Sequence, residues 1–173
     1  MIVIALGANL PTDEFGSPES GFAAALTFVS DKGIKVVRRS RLYRSAPVPP
    51  SGQPWYINAV ATVETGLGPH DLLGELLAIE TRFGRVRHGR NDPRVLDLDL
   101  IDYDGQVGHW AGEGARPALD LPHPRLAARA FVLTPLAEIA PEWCHPVTGA
   151  AIHTLLAALS PDQIVQTIGN WPG

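Results

Sequence analysis

The run LDLDL at Leu96–Leu100 is the segment best suited to chemistry. Side chains alternate along a strand, so Asp97 and Asp99 share one face and the leucines share the other. A rise of about 3.3 Å per residue sets the two carboxylates roughly 6–7 Å apart. Aspartate is depleted in strands, and like charges on one face repel unless a cation lies between or beside them. Mg²⁺ suits such a pair, because it takes one or two carboxylates and completes its octahedron with waters and phosphate oxygens. An edge strand turning a polar face to water would carry the same residues.

Arg82, Arg85, Arg87, Arg90 and Arg94 lead into this run, with Asp92 the only acid among them. Guanidiniums that feed into carboxylates form the charge pattern expected around a metal–polyphosphate ligand. A solvated loop paired with surface acids is the plainer alternative. Glu80 lies on the apolar side of the preceding helical stretch, where a carboxylate needs a partner. It is read as a ligand contact, as an anchor for a loop arginine, or as a residue at the helix boundary. Tyr56 and Asn58 share a strand face, and a ring beside an amide suits a flat, hydrogen-bonding heterocycle. A half-exposed tyrosine would look the same. His123 stands between Pro122 and Pro124, with Arg125, Arg129 and Phe131 downstream. The prolines hold it in a stiff extended segment, from which it could donate to a phosphate or simply form a turn.

Positioning these groups falls to a series of interleaved elements. Met1–Gly7 is a short apolar run consistent with a buried strand. Ser17-Pro18 opens a helix predicted to run to about Lys32, where Gly33 stops it. Ile34–Arg44 reads as one strand, and Ser45–Pro54, with its prolines, as a loop. Trp55–Glu64 alternates: Trp55, Ile57, Ala59, Ala61 and Val63 on an apolar face, Tyr56, Asn58, Val60 and Thr62 on the other. Gly68-Pro69 opens a helix to about Phe83, with a stripe of Leu72, Leu73, Leu76, Leu77 and Phe83. Leu96–Tyr103 is a strand closed by an Asp104-Gly105 turn, and Gly108–Arg116 a glycine-rich loop. Helices are predicted around Arg129–Ala140 and Ile152–Leu159. Strands and helices interleave as one α/β-layered domain, 1–173.

Composition narrows the classes. With 173 residues, 45% apolar, the chain has the make-up of a globular domain rather than a disordered one. A net charge of −4 counts against a general nucleic-acid binder. Among the 14 basic residues only Lys32 and Lys35 are lysine, and arginine is the residue of bidentate phosphate recognition. One cysteine, Cys144, excludes an intramolecular disulfide and fits a reducing compartment. No run approaches a membrane span, and a cytoplasmic location is expected. P-loop, GxGxxG, nucleophile-elbow and HExxH signatures are missing, and Cys144-His145 reads as structural.

Taken together, IALGANL, LYRSAPV, QPWYINAV, LLAIETRFGRVR, PRVLDLDLIDY and LPHPRLAARAFVLTPLAEIAP follow in an order that resembles the 2-amino-4-hydroxy-6-hydroxymethyldihydropteridine pyrophosphokinases over Ile2–Pro141. The resemblance implies a ferredoxin-like α+β fold of three layers, α/β/α, with a mainly antiparallel sheet. It implies Mg²⁺- and ATP-dependent pyrophosphoryl transfer to 6-hydroxymethyl-7,8-dihydropterin in folate biosynthesis, giving AMP, with attack at the β-phosphorus and no covalent enzyme intermediate. Asp97 and Asp99 would hold two Mg²⁺ and, with Arg85 and Arg94, form the catalytic set. The pterin would stack between Tyr56 and Phe131, its edge read by Asn58 and by Ser45, Pro47 and Val48. ATP would meet Glu80, Arg85, Arg87, Arg90, Arg94, His123 and Arg129. Loops around Pro47–Gln53 and Arg85–Pro93 would close over both substrates. The family pattern is broken at Ala8, Leu77, Asn91 and Ala128, and the arginine loop is one residue shorter. Expected partners are the two small molecules, with no nucleic acid, no membrane and a monomeric state. The alternatives are a non-catalytic nucleotide- or pterin-binding protein on the same fold and a single-stranded nucleic-acid binder.

Overall fold

The run IVIALGA is apolar on both sides of its pleat, as suits a strand covered on both faces. The computed structural model, which describes residues 1–47, 52–85, 93–114 and 116–172, makes it β1 (Ile2–Ala8). The other elements in chain order are α1 (Pro18–Asp31), β2 (Lys35–Arg39), β3 (Leu42–Ser45), β4 (Tyr56–Glu64), α2 (Pro69–Arg82) and β5 (Asp97–Tyr103). They continue with β6 (Gly108–Trp110), β7 (Leu119–Leu121), α3 (Ala130–Ile139), α4 (Ile152–Ala157) and β8 (Val165–Gly169). A six-stranded sheet runs β5-β1-β4-β3-β8, with β2 also on β4, and β6 pairs with β7 apart from it. Every pairing among the described strands is antiparallel.

Two apolar cores lie on opposite faces of the sheet. Ile4, Leu6, Ala59, Ala61 and Leu98 pack with Phe22 and Val29 of α1 and Leu72 and Leu76 of α2. Val3, Val60 and Ile101 pack with Val132, Leu133 and Leu136 of α3 and with Ile152 of α4. The result is the expected ferredoxin-like α+β arrangement of three layers, α/β/α. No helix among the described residues is long and apolar enough to cross a membrane.

Local chemistry sets the helix ends. Ser17 Oγ accepts from Ser20 N at 3.5 Å, and Pro18 takes the first turn of α1. Gly33, at φ +74°, turns the chain out of the helix. The predicted strand Ile34–Arg44 is two strands in the structure. Ser40 N donates to Val60 O at 2.9 Å while Ser40 Oγ accepts from Val60 N at 3.0 Å. A hydroxyl therefore stands where a ladder carbonyl would, and the strand breaks there. The alternation of β4 holds, but its second face is also buried, by α3. Trp55, expected on the apolar face, precedes the strand and is 41% exposed, with the Arg44 guanidinium 5.3 Å from its ring centroid. Part of the glycine-rich stretch is β6, and β7 and β8 carry no expectation from the sequence.

Candidate active site

Strand register brings the polar residues onto one face. Gly7 of β1 lies between Asp97 of β5 and Asn58 of β4, and Asn58 faces Tyr43 of β3. One row along, Ala5 lies between Asp99 and Val60, and Ser45 pairs with Tyr56. Residues directly opposite across a ladder point to the same side, so Asp97, Asp99, Asn58, Tyr56 and Ser45 share one end of one face. A Cβ built on Gly7 would lie 3.8 Å from both Asn58 Oδ1 and Asp97 Cβ, so Gly7 keeps the floor between them open.

Asp97 is the electrostatic centre. Its Oδ1 accepts from Arg85 Nη1 and its Oδ2 from Arg94 Nη1. Burial disfavours its charged form, but the guanidiniums of Arg94 and Arg85 outweigh that and hold the carboxyl below the usual carboxylate range. Glu80 is 2% exposed, and its Oε1 accepts from Arg85 Nη1 and, at 2.7 Å, from Leu98 N. Of the readings open for Glu80, the anchor for a loop arginine is the one that its contacts describe. It buttresses Arg85 from behind.

Asp99 faces a second cationic group. Arg129 Nη1 lies 3.4 Å and His123 Nε2 3.9 Å from Asp99 Oδ2. His123 N donates to Ile101 O at 2.8 Å, which ties the Pro122-His123-Pro124 segment to β5. His123 Nδ1 accepts from Arg125 N at 3.1 Å, so the neutral ring carries its proton on Nε2, toward Asp99. Burial lowers the histidine pKa against the opposing pull of Asp99. Arg129 lies 5.4 Å from the Phe131 ring centroid, the stacked geometry of a cation on an aromatic face. A cavity of about 230 Å³ opens beside Asp99 and His123, walled by Leu73 and Leu77 of α2, Leu98 and Leu100 of β5, and Ala118.

The heterocycle-reading residues are held as tightly. Asn58 Nδ2 donates to Ser45 Oγ at 2.9 Å, both residues being buried, which directs Asn58 Oδ1 over Gly7. Tyr56 Oη donates to Gln53 Oε1 at 3.1 Å. Pro47 follows the end of β3, half-buried. Val48, Arg87 and Arg90 lie outside the described residues.

Two findings depart from the sequence reading. Arg82, grouped with the loop arginines, belongs to the last turn of α2 and pairs with Glu14 at 2.5 Å, away from Asp97. Asn9, unremarked there, is buried and joins both candidate loops. Its Oδ1 accepts from Arg94 N at 2.8 Å, and its Nδ2 donates to Gln53 Oε1 at 3.3 Å and Pro54 O at 3.2 Å. An amide residue directly after a buried strand was the available signal.

Comparison with known proteins agrees with this arrangement. The sequence model described as 7,8-dihydro-6-hydroxymethylpterin-pyrophosphokinase (HPPK) matches residues 3–141. A 2-amino-4-hydroxy-6-hydroxymethyldihydropteridine pyrophosphokinase of Synechocystis sp. is 48% identical over 79% of this chain, which spans 65% of that relative's length. Proteins of the same name are 38% identical in Methylorubrum extorquens, over 93% of this chain and 94% of theirs, and 41% in Pseudomonas aeruginosa, over 91% and 90%. Plasmodium falciparum HPPK-DHPS superposes with a TM-score of 0.72 at 14% identity, over 90% of this chain and 44% of that one, a likeness of fold. With the family's sequence pattern running through β1, β4, β5 and α3, the strands and helix that carry the site, the chain belongs to the 7,8-dihydro-6-hydroxymethylpterin-pyrophosphokinase family.

Proposed function

We propose that this chain transfers the pyrophosphoryl group of ATP to the hydroxymethyl oxygen of 6-hydroxymethyl-7,8-dihydropterin, releasing AMP. The observation that carries the reading is the pair Asp97 and Asp99 on one strand face, each met by arginine, with a cavity beside Asp99. The pterin oxygen attacks the β-phosphorus and gives up its proton to solvent water. The bond from that phosphorus to the α–β bridging oxygen breaks, and AMP leaves with the oxygen. Catalysis is then positioning and charge neutralisation, with no covalent enzyme intermediate.

The donor chemistry fits two Mg²⁺. Asp97 and Asp99 offer hard carboxylate oxygens on one face, and the described residues hold no larger metal-ligating cluster, so waters and phosphate oxygens would complete each shell. Asp97 and Asp99 would hold the Mg²⁺, whose charge would offset that of the phosphates. Arg85 and Arg94 at Asp97, and Arg129 and His123 at Asp99, stand ready to donate to the same phosphates, with Arg87 and Arg90 assigned there by resemblance. Tyr56 and Phe131 flank the pterin ring, Asn58 Oδ1 accepts from its edge over Gly7, and the backbone of Ser45 and Pro47 completes the contact, with Val48 assigned there by resemblance.

Product analysis by ³¹P NMR with ATP, Mg²⁺ and the reduced pterin tests this. AMP and a pterin pyrophosphate are expected in equal amounts. ADP as the nucleotide product, or saturable binding of both substrates without turnover, would overturn it.

A further inference from the structure

The stretch between α4 and β8 lies beyond the family match, yet it touches both flanks of the site. Ser160-Pro161-Asp162 makes a turn in which Gln163 N donates to Ser160 O at 3.3 Å, and a proline second in a turn stiffens it. The turn presents the half-buried Gln163 side chain to the start of α3. Gln163 Oε1 accepts from Ala130 N at 2.9 Å, and Gln163 Nε2 donates to Ala128 O at 3.0 Å. These two peptide groups flank Arg129. One residue on, Ile164 O accepts from Ala46 N at 3.3 Å, and Val165 pairs with Ser45. Residues 163–165 therefore bridge the Arg129 side and the Ser45–Pro47 side.

The first N–H groups of a helix lack acceptors within it, and the N-cap side chain normally supplies one. Arg129 occupies the N-cap of α3 and makes no such bond. Its guanidinium reaches Asp99 instead. Gln163, from another part of the chain, supplies an acceptor to the first of these N–H groups, that of Ala130, and grips the carbonyl on the other side of Arg129.

We propose that Gln163 is a positioning residue for the transfer reaction: by holding the peptide groups on both sides of Arg129, it aims the Arg129 guanidinium at Asp99 and the phosphates. This rests on the pyrophosphoryl-transfer reading. It acts on one backbone unit, where a misplacement of about 1 Å can cost on the order of a hundredfold in rate.

The test uses the full chain with Gln163→Leu, which keeps volume and loses both bonds, and Gln163→Glu, which keeps the acceptor and loses the donor. Gln163→Leu is expected to lower kcat/KM for ATP by about tenfold, and Gln163→Glu by less. Groups that act as a unit are non-additive, so adding Gln163→Leu to Arg129→Ala is expected to change kcat/KM by less than about twofold. Unchanged kinetics in Gln163→Leu, or an undiminished tenfold loss in the Arg129→Ala background, overturns the proposal. If Gln163→Leu does not fold, Gln163→Glu is compared in the same way. If the wild type forms no AMP, the reaction reading fails, and Gln163 is judged on the ligand-free protein. There the Arg129 Nε–Hε NMR signal should shift in both variants and Ala130 amide exchange should quicken in Gln163→Leu, which alone loses the acceptor, and an unmoved Arg129 signal together with unchanged Ala130 exchange in Gln163→Leu overturns it.

Discussion

Asp97 and Glu80 grip the same guanidinium for different ends. Asp97 shares Arg85 with Glu80 and also holds Arg94, whose side chain is 22% exposed and can hydrate. Glu80 is buried and in addition accepts from Leu98 N. Replacing Asp97 by Asn leaves Arg85 its second carboxylate but removes the charge at the reacting centre. Removing one such preorganised electrostatic group costs on the order of a hundred- to a thousandfold in kcat. Glu80→Ala leaves a buried N–H and a half-paired guanidinium, a change worth about 3–5 kcal/mol of stability. Steady-state AMP formation and urea denaturation on both variants should therefore separate: Asp97→Asn loses rate with the smaller stability change, and Glu80→Ala loses stability. The pair Asp97 and Asp99 was legible because LDLDL states its own periodicity. Asn9 was not, because its partners Gln53 and Arg94 are distant in sequence and only the fold brings them together. The role of Glu80 was legible only as a set of options for the same reason.

Among the elements, the tie between β3 and α3 sets how firmly the sheet holds the helix below it. Tyr43 Oη donates to Glu138 Oε2 at 2.5 Å, and Arg41 Nε donates to Glu138 Oε1 at 3.0 Å. Burial first, and then the Glu138 carboxylate, raises the Tyr43 pKa above its ordinary value of about 10. The folded state thus keeps a proton that the unfolded state loses. Tyr43 contributes stability that is fully present below pH 10 and is lost as pH rises through the folded value. Urea midpoints measured from pH 8 to 11 should fall above pH 10, and Tyr43→Phe should flatten that fall. α1 and α2 were readable because their caps and apolar stripes are local signals: Ser17-Pro18, Gly68-Pro69, and leucines at helical spacing. β6, β7 and β8 were not, since strands of three to five residues take their conformation from a partner. The division of Ile34–Arg44 was hidden for a related reason, since the hydroxyl that breaks it bonds to β4.

For the molecule as a whole, a net charge of −4 conceals a segregated layout in which arginines converge on one end of one sheet face. A site assembled from β1, β3, β4, β5 and α3 should feed ligand binding into global stability. A non-hydrolysable ATP analogue with Mg²⁺, at a hundred times its Kd, stabilises the folded state by about 2.7 kcal/mol. For a chain of this size that raises Tm by roughly 5–10 °C. Calorimetric scans should show the rise, and chelation of Mg²⁺ should shrink it.

The placement of β1 has a consequence for how the chain reaches this state. Ile2 pairs with Val63 on one side and Tyr103 on the other, so β1 is walled by strands far along the chain. Pairings of such sequence separation carry a large loop-closure entropy and slow folding. During synthesis β1 leaves the ribosome well before either neighbour exists. The face that carries Val3 waits longest, for α3, which follows β5 in the chain, so that core cannot close before the strand that carries Asp97 and Asp99 exists.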